Sequence, residues 1–130
     1  MLDVYQRVSL DAAPRRRYPS LVWRGILKLI RMAETAIADR NPAARHEALM
    51  RAQQLVGFMD AAFRDEVLPE AAPAVHELHR HMVNLLATAN LRNDVATLGQ
   101  ARDLALALDE TWSKAADLAP PDLEGRWTSC

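Results

Sequence analysis

The stretch NPAARHEALMRAQQLVGFMDAAF, residues 41–63, decides the class of fold. Asn41 supplies a side-chain acceptor for the first turn of a helix, and Pro42 suits the first helical position, where its missing N–H is not needed. Ala48, Leu49, Ala52, Leu55, Val56, Met59, Ala62 and Phe63 then recur at the i, i+3, i+4, i+7 spacing of one helical face. The period predicts an amphipathic helix from Pro42 to about Asp65.

The same period continues on both sides. Between Ser20 and Asp39, the face is Val22, Ile26, Leu29, Ile30, Ala33 and Ile37. From Ala74 to Leu91 it is Val75, Leu78, Met82, Leu85, Leu86 and Ala89, and from Val95 to about Lys114 it is Val95, Leu98, Ala101, Ala105, Leu108 and Trp112. Prolines fall at positions 14, 19, 42, 69, 73, 120 and 121, outside the periodic segments, where each marks an end or a beginning. Asn93-Asp94 supplies the remaining break, with Asp94 as the cap of the last helix. No segment alternates with the period of two that a half-buried strand requires. Four such stripes on short connections predict an all-α fold, an antiparallel four-helix bundle over residues 19–118. Residues 1–18 form an N-terminal capping segment whose Val4, Tyr5, Val8 and Leu10 can fold back on the bundle. Residues 119–130 are expected to be a flexible tail.

Composition narrows the function. Half of the 130 residues are hydrophobic and a quarter charged, which suits one globular domain. A formal net charge of −1, with Arg15-Arg16-Arg17 as the one basic run, gives no footprint for nucleic acid. The sole cysteine is Cys130, so no disulfide forms within the chain. The opening MLDVYQRV is not a signal peptide, and no apolar run approaches the roughly 20 residues of a membrane span. A cytoplasmic protein is expected.

Three of the four histidines sit in HELHRH, residues 76–81. On a helix His76 and His79 lie about 60° apart, and His79 and His81 about 160° apart, so the three cannot converge on one ion. The HExxH of zinc proteases is absent, as is the Glu-x-x-His of carboxylate-bridged bundles. No metal and no cofactor are expected. Histidine phosphotransfer domains are also small helical bundles, with a His-x-Leu-Lys-Gly pattern that His76-Glu77-Leu78 begins and His79-Arg80 breaks. That reading stands as the alternative. Otherwise the histidines are ordinary residues at the core margin or in solvent, and His46 shows no partner in the sequence. Cys130 belongs to no nucleophile constellation, and the scattered glycines make no phosphate loop. Nothing points to an enzyme.

One longer pattern is informative. Leu85-Leu86-Ala87-Thr88-Ala89-Asn90-Leu91-Arg92-Asn93-Asp94, followed by Leu98, Leu104, Leu108 and Trp112, resembles the flagellar secretion chaperone FliS family. Glu47-Ala48-Leu49, Arg51-Ala52 and Leu55-Val56 are similar to its second helix, Arg24-Gly25-Ile26 through Ala33 to the end of its first, and Val4-Tyr5-Gln6-Arg7-Val8-Ser9 to its N-terminal tyrosine segment. The resemblance covers about residues 4–113. The chain departs from the family at Arg24, where an acidic residue is common, at Tyr18-Pro19, in a first-helix region about one turn short, and in a loop 67–73 lacking Gly-Gly. His79 and His81 look like substitutions at aromatic positions.

The resemblance implies a cytoplasmic chaperone that binds the C-terminal segment of flagellin, prevents its premature polymerisation and assists its delivery to the flagellar export apparatus. A disordered amphipathic segment can fold into an apolar groove of a bundle, at an ordering cost of about 2–5 kcal/mol. By that resemblance Tyr5 and Val8 cap a groove; Trp23, beside a Gly25 that permits close backbone approach, and the pliable Met32 are expected to line the partner-binding surface. Met32, Met50, Met59 and Met82 either add pliable surface or fill the core. A FliS-like binding protein with a different client is the second alternative.

Overall fold

A computed structural model describes residues 18–62, 69–70 and 72–118, with side chains described for 21–62, 69–70 and 72–111. Tyr5, Val8, the rest of the N-terminal segment, the tail and the Trp112 side chain lie outside the described residues. Among the described residues there are four helices: α1, Tyr18–Ala38; α2, Pro42–Ala62; α3, Ala72–Arg92; and α4, Val95–Leu118. At 1.5 Å per residue they are roughly 31–36 Å long. Each packs on its neighbours in chain order, and α4 closes back onto α1.

Cross-helix polar contacts fix the direction of α3 against α2 and of α4 against α1, and the short turns at 39–41 and 93–94 reverse the chain within the other two pairs. Arg45 at the start of α2 reaches Asn90 and Asn93 at the end of α3. Asp60 near the end of α2 meets His76 near the start of α3. Arg24 early in α1 pairs with Asp109 late in α4 at 3.7 Å, and Arg102 early in α4 donates to Glu34 late in α1 at 2.7 Å. Neighbouring helices therefore run antiparallel all the way round.

The core follows the stripes with informative exceptions. Ile26, Ile30, Leu49, Val56, Met59, Met82, Leu86 and Leu98 are fully enclosed, with Ala33, Ala52, Ala89, Ala101 and Ala105 filling the tighter gaps. Trp23, not Val22, is the largest fully buried side chain, and Val22 packs at the core's edge. On α3 the period assigns Leu78 inside; the structure leaves Leu78 39% exposed and buries His79. Helix α3 also begins earlier than Pro73 suggests. Proline is tolerated in a first turn, where its missing N–H breaks no helical hydrogen bond.

The two described connections are capped at both ends. Asn41 Oδ1 accepts from Ala44 N–H at 3.1 Å, and Asp94 Oδ1 accepts from Ala96 and Thr97 N–H at 3.0 and 3.2 Å. Helix α1 ends in a Schellman turn: Asn41 N–H donates to the Ala36 carbonyl and Arg40 N–H to that of Ile37. Helix α3 ends alike, with Asp94 N–H donating to the Ala89 carbonyl. The left-handed residues these turns require are Arg40, φ 54°, and Asn93, φ 53°. Asparagine adopts that conformation readily; arginine does so against its Cβ. The stretch 85–94 is thus a helix end, a left-handed turn and a cap in series.

Arg40→Gly should remove about 1–2 kcal/mol of backbone strain and add about 0.5–1 kcal/mol of unfolded-state freedom. The expected result is a net gain of up to about 1 kcal/mol, seen as a melting point raised by a few degrees. Asp94→Ala should lower stability by about 0.5–2 kcal/mol in the same melts.

Candidate functional site

Helix α1 presents two opposed faces. Trp23 points inward and is 0% exposed, whereas Leu21, Gly25, Lys28 and Met32, spaced four, three and four residues apart, share one line on the outer side. Leu21 is 45% and Met32 49% exposed, in the same range as Val95 and Leu106 on α4. Gly25 sits beside α2, where an added Cβ would lie 3.9 Å from Leu55 Cδ1. Farther along, the last turns of α1 and the first turn of α2 frame an open groove of about 400 Å³, lined by Lys28, Arg31, Met32, Thr35, Asp39 and Ala44 among others.

Of the residues expected to bind a partner, Gly25 and Met32 come together on this strip. Trp23 does not: it faces the opposite side and serves as core, so it lines no surface here. The indole N–H of Trp23 meets no acceptor among the described residues. The four described methionines divide evenly, Met59 and Met82 enclosed, Met32 and Met50 exposed. At 3.9 Å the contact beside Gly25 is an ordinary one, so glycine is not needed there to relieve crowding against α2.

The histidines are less ordinary than their spacing suggests. His79 is 2% exposed, and its ring lies against Trp23 with centroids 6.0 Å apart at 37°. Asp60 crosses from α2, and its Oδ1 meets His79 Nδ1 at 2.8 Å and His76 Nδ1 at 2.6 Å. One donor atom from each of the three residues lies within 4.8 Å of the others. Burial pulls the His79 pKa below its ordinary value, and the bond to Asp60 only partly offsets this. Burial alone would raise the Asp60 pKa, but the hydrogen bonds from His76 and His79 outweigh it and hold the carboxyl low. His79 is thereby held neutral and donates its Nδ1–H to an ionised Asp60, which also hydrogen-bonds His76 Nδ1.

Two expectations change. His79 belongs to the core rather than its margin, and His46, which shows no partner in the sequence, meets the Asn90 side chain at 2.9 Å. The angular argument against three histidines on one ion correctly separates His81, which is exposed. It leaves out Asp60, which no spacing along one helix can reveal. In the phosphotransfer pattern the accepting histidine is His76, and its Nδ1 is engaged by Asp60 at 2.6 Å.

The family model described as flagellar protein FliS matches residues 2–119, nearly the whole chain. The chain belongs to the FliS family. Among its relatives, a protein of Bacillus subtilis (strain 168) named flagellar secretion chaperone FliS is 23% identical over 121 residues, 93% of this chain and 90% of the relative. A protein of Salmonella typhimurium (strain LT2) with the same name is 24% identical over 123 residues, 91% of each chain. Within this FliS-family chain, Arg24 has its own electrostatic logic, since it faces the largely buried Asp109 of α4. No helix among the described residues is long and apolar enough to cross a membrane.

The neutral state of His79 sets a pH dependence. Its folded pKa is depressed, so its contribution is fully present above the unfolded value near 6.5 and is lost as pH falls through that value towards the folded one. Urea melts between pH 7.5 and 5.5 should show stability dropping on acidification, by up to about 1.4 kcal/mol per pH unit for one proton. His79→Gln retains a donor for Asp60 but cannot titrate, and it should flatten that slope. An unchanged slope would mean that His79 titrates alike in the folded and unfolded chains.

Proposed function

We propose that this chain is a cytoplasmic flagellar secretion chaperone that binds the C-terminal segment of flagellin, holds it unpolymerised and assists its delivery to the export apparatus. The observation that carries this reading is the family match over residues 2–119, together with the names of its full-length relatives. The bundle has a surface suited to the task. An extended or helical segment can lie along α1 with apolar anchors on Leu21 and Met32, and Gly25 between them lets its backbone come close. Lys28 and Arg31 beside the groove favour a client with acidic residues near its apolar ones. The chaperone binds and releases, and no chemical step is required of it.

Calorimetric titration with the C-terminal segment of the same organism's flagellin tests the reading. A one-to-one complex at micromolar affinity or better, with helicity gained on mixing, is expected. No binding would overturn flagellin as the client and leave a FliS-family bundle with another. Met32→Glu should weaken the complex about 10–100-fold, the equivalent of losing one buried methionine contact of about 1.5–3 kcal/mol. The melting point of the free protein should barely move, because Met32 is half exposed. Gly25→Ala separates two roles. It should stabilise the free bundle by about 0.5–1 kcal/mol while weakening the complex, and unchanged binding would place the client elsewhere.

A further inference from the structure

We propose that Asp60, His76 and His79 form a binding site for one divalent ion of the zinc class, bridging α2 and α3. The donor set is two imidazole nitrogens and one carboxylate oxygen, the mixture that suits Zn²⁺ and its neighbours rather than Mg²⁺ or Ca²⁺, which demand oxygen. Tetrahedral bonds of about 2.0–2.1 Å place ligand atoms about 3.3 Å apart. The Asp60 oxygen already lies 2.6 and 2.8 Å from the two Nδ1 atoms, and all three donors fall within 4.8 Å of one another. The two carboxylate–imidazole gaps need to open by about 0.5–0.7 Å, within the reach of small side-chain rotations. Each imidazole offers the ion its Nδ1 lone pair once the Nδ1 proton has moved to Nε2, and binding is favoured where both rings are neutral. The charge of the carboxylate then faces a cation instead of two N–H dipoles.

Independent features of the surroundings fit an open coordination position. The cluster gives onto a cavity of about 250 Å³ whose other walls are Val56, Gly57, Arg80 and Val83. Gly57 adds no side chain, and a Cβ there would meet nothing within 4 Å, which leaves room for water or another ligand on the ion. Arg80 is the one cation in the lining, and its guanidinium is paired with Glu77 at 2.5 Å. His79 is held from behind by the Trp23 ring, so one ligand is fixed before the ion arrives. The ion would clamp the end of α2 to the start of α3 across the connection 63–71.

The test uses the full chain, stripped of metal and titrated with Co²⁺ by absorbance and with Zn²⁺ by calorimetry. One equivalent of Co²⁺ should produce the d–d bands of a four- or five-coordinate ion, displaced by Zn²⁺, and Zn²⁺ should raise the melting point. His76→Ala, at a half-buried position, should weaken Co²⁺ binding on the order of 100-fold or more, beyond what loss of an outer-shell partner costs. Asp60→Asn should weaken it as well, and His81→Ala and Cys130→Ser should leave it unchanged. Circular dichroism of each variant distinguishes a lost ligand from a lost fold, and His76→Gln replaces His76→Ala where the latter melts early. No bands and no heat, or binding indifferent to the His76 variants, would overturn the site. Binding abolished by Cys130→Ser would do the same.

Discussion

A histidine inside an apolar core must keep a hydrogen-bond partner, and the way His79 meets that demand organises one end of the bundle. An unpartnered polar group of this kind costs about 1–3 kcal/mol once removed from water. Asp60 supplies the partner from the neighbouring helix, and its second N–H donor is His76, one turn earlier on α3. The carboxylate is only half buried, which keeps its own desolvation cost modest while its inner oxygen serves the core. Trp23 completes the arrangement, stacking obliquely on His79 from α1. Three helices therefore meet through one polar contact and one ring contact. The register of α3 against α2 follows from them, since a shift of one residue would exchange His79 for Leu78 or Arg80.

The opposite end is closed by different means. Arg45 on α2 donates to Asn90 and Asn93 as α3 finishes, Asn90 meets His46, and Asp94 caps α4. Asn90, Asn93 and Asp94 lie in the stretch that carries the family resemblance, and their chemistry explains the pattern without invoking a client. Asparagine at 93 takes the left-handed turn at little cost, and aspartate at 94 accepts two backbone N–H groups of the next helix. A short connection between antiparallel helices of this length depends on both. The resemblance is thus read mainly from residues that close the bundle, and the binding surface is a separate matter.

That division explains what was legible in the chain. Helical period places α2 almost residue for residue, because Asn41-Pro42 marks its start and its apolar stripe is uninterrupted. The period fails where polarity and position disagree. His79 is the clear case: hydropathy sends Leu78 inward and His79 outward, and only a carboxylate on another helix reverses the choice. Trp23 is the converse, a side chain whose size suggests a binding platform but whose angular position, shared with Ile26, Leu27 and Ile30, puts it at the centre. Arg40 in a left-handed turn has no signal in its own identity, since the Schellman geometry is imposed by the short link to Asn41. Such features depend on partners distant in sequence, and a one-dimensional pattern holds no information about them.

The outer strip of α1 differs in kind from all of these. Leu21, Gly25 and Met32 satisfy no internal demand: the core is complete without them, and the contact beside Gly25 is too loose to require a glycine. Helix interiors disfavour glycine by about 0.5–1 kcal/mol relative to alanine, so its presence there works against the stability of the bundle. Exposed leucine and methionine work against solubility in the same sense. Three residues on one line, each unfavourable to the free protein, are what the proposed client surface rests on. Trp23, on the inner side of the same helix, and His79 packed against its ring anchor α1 to the core beneath that strip.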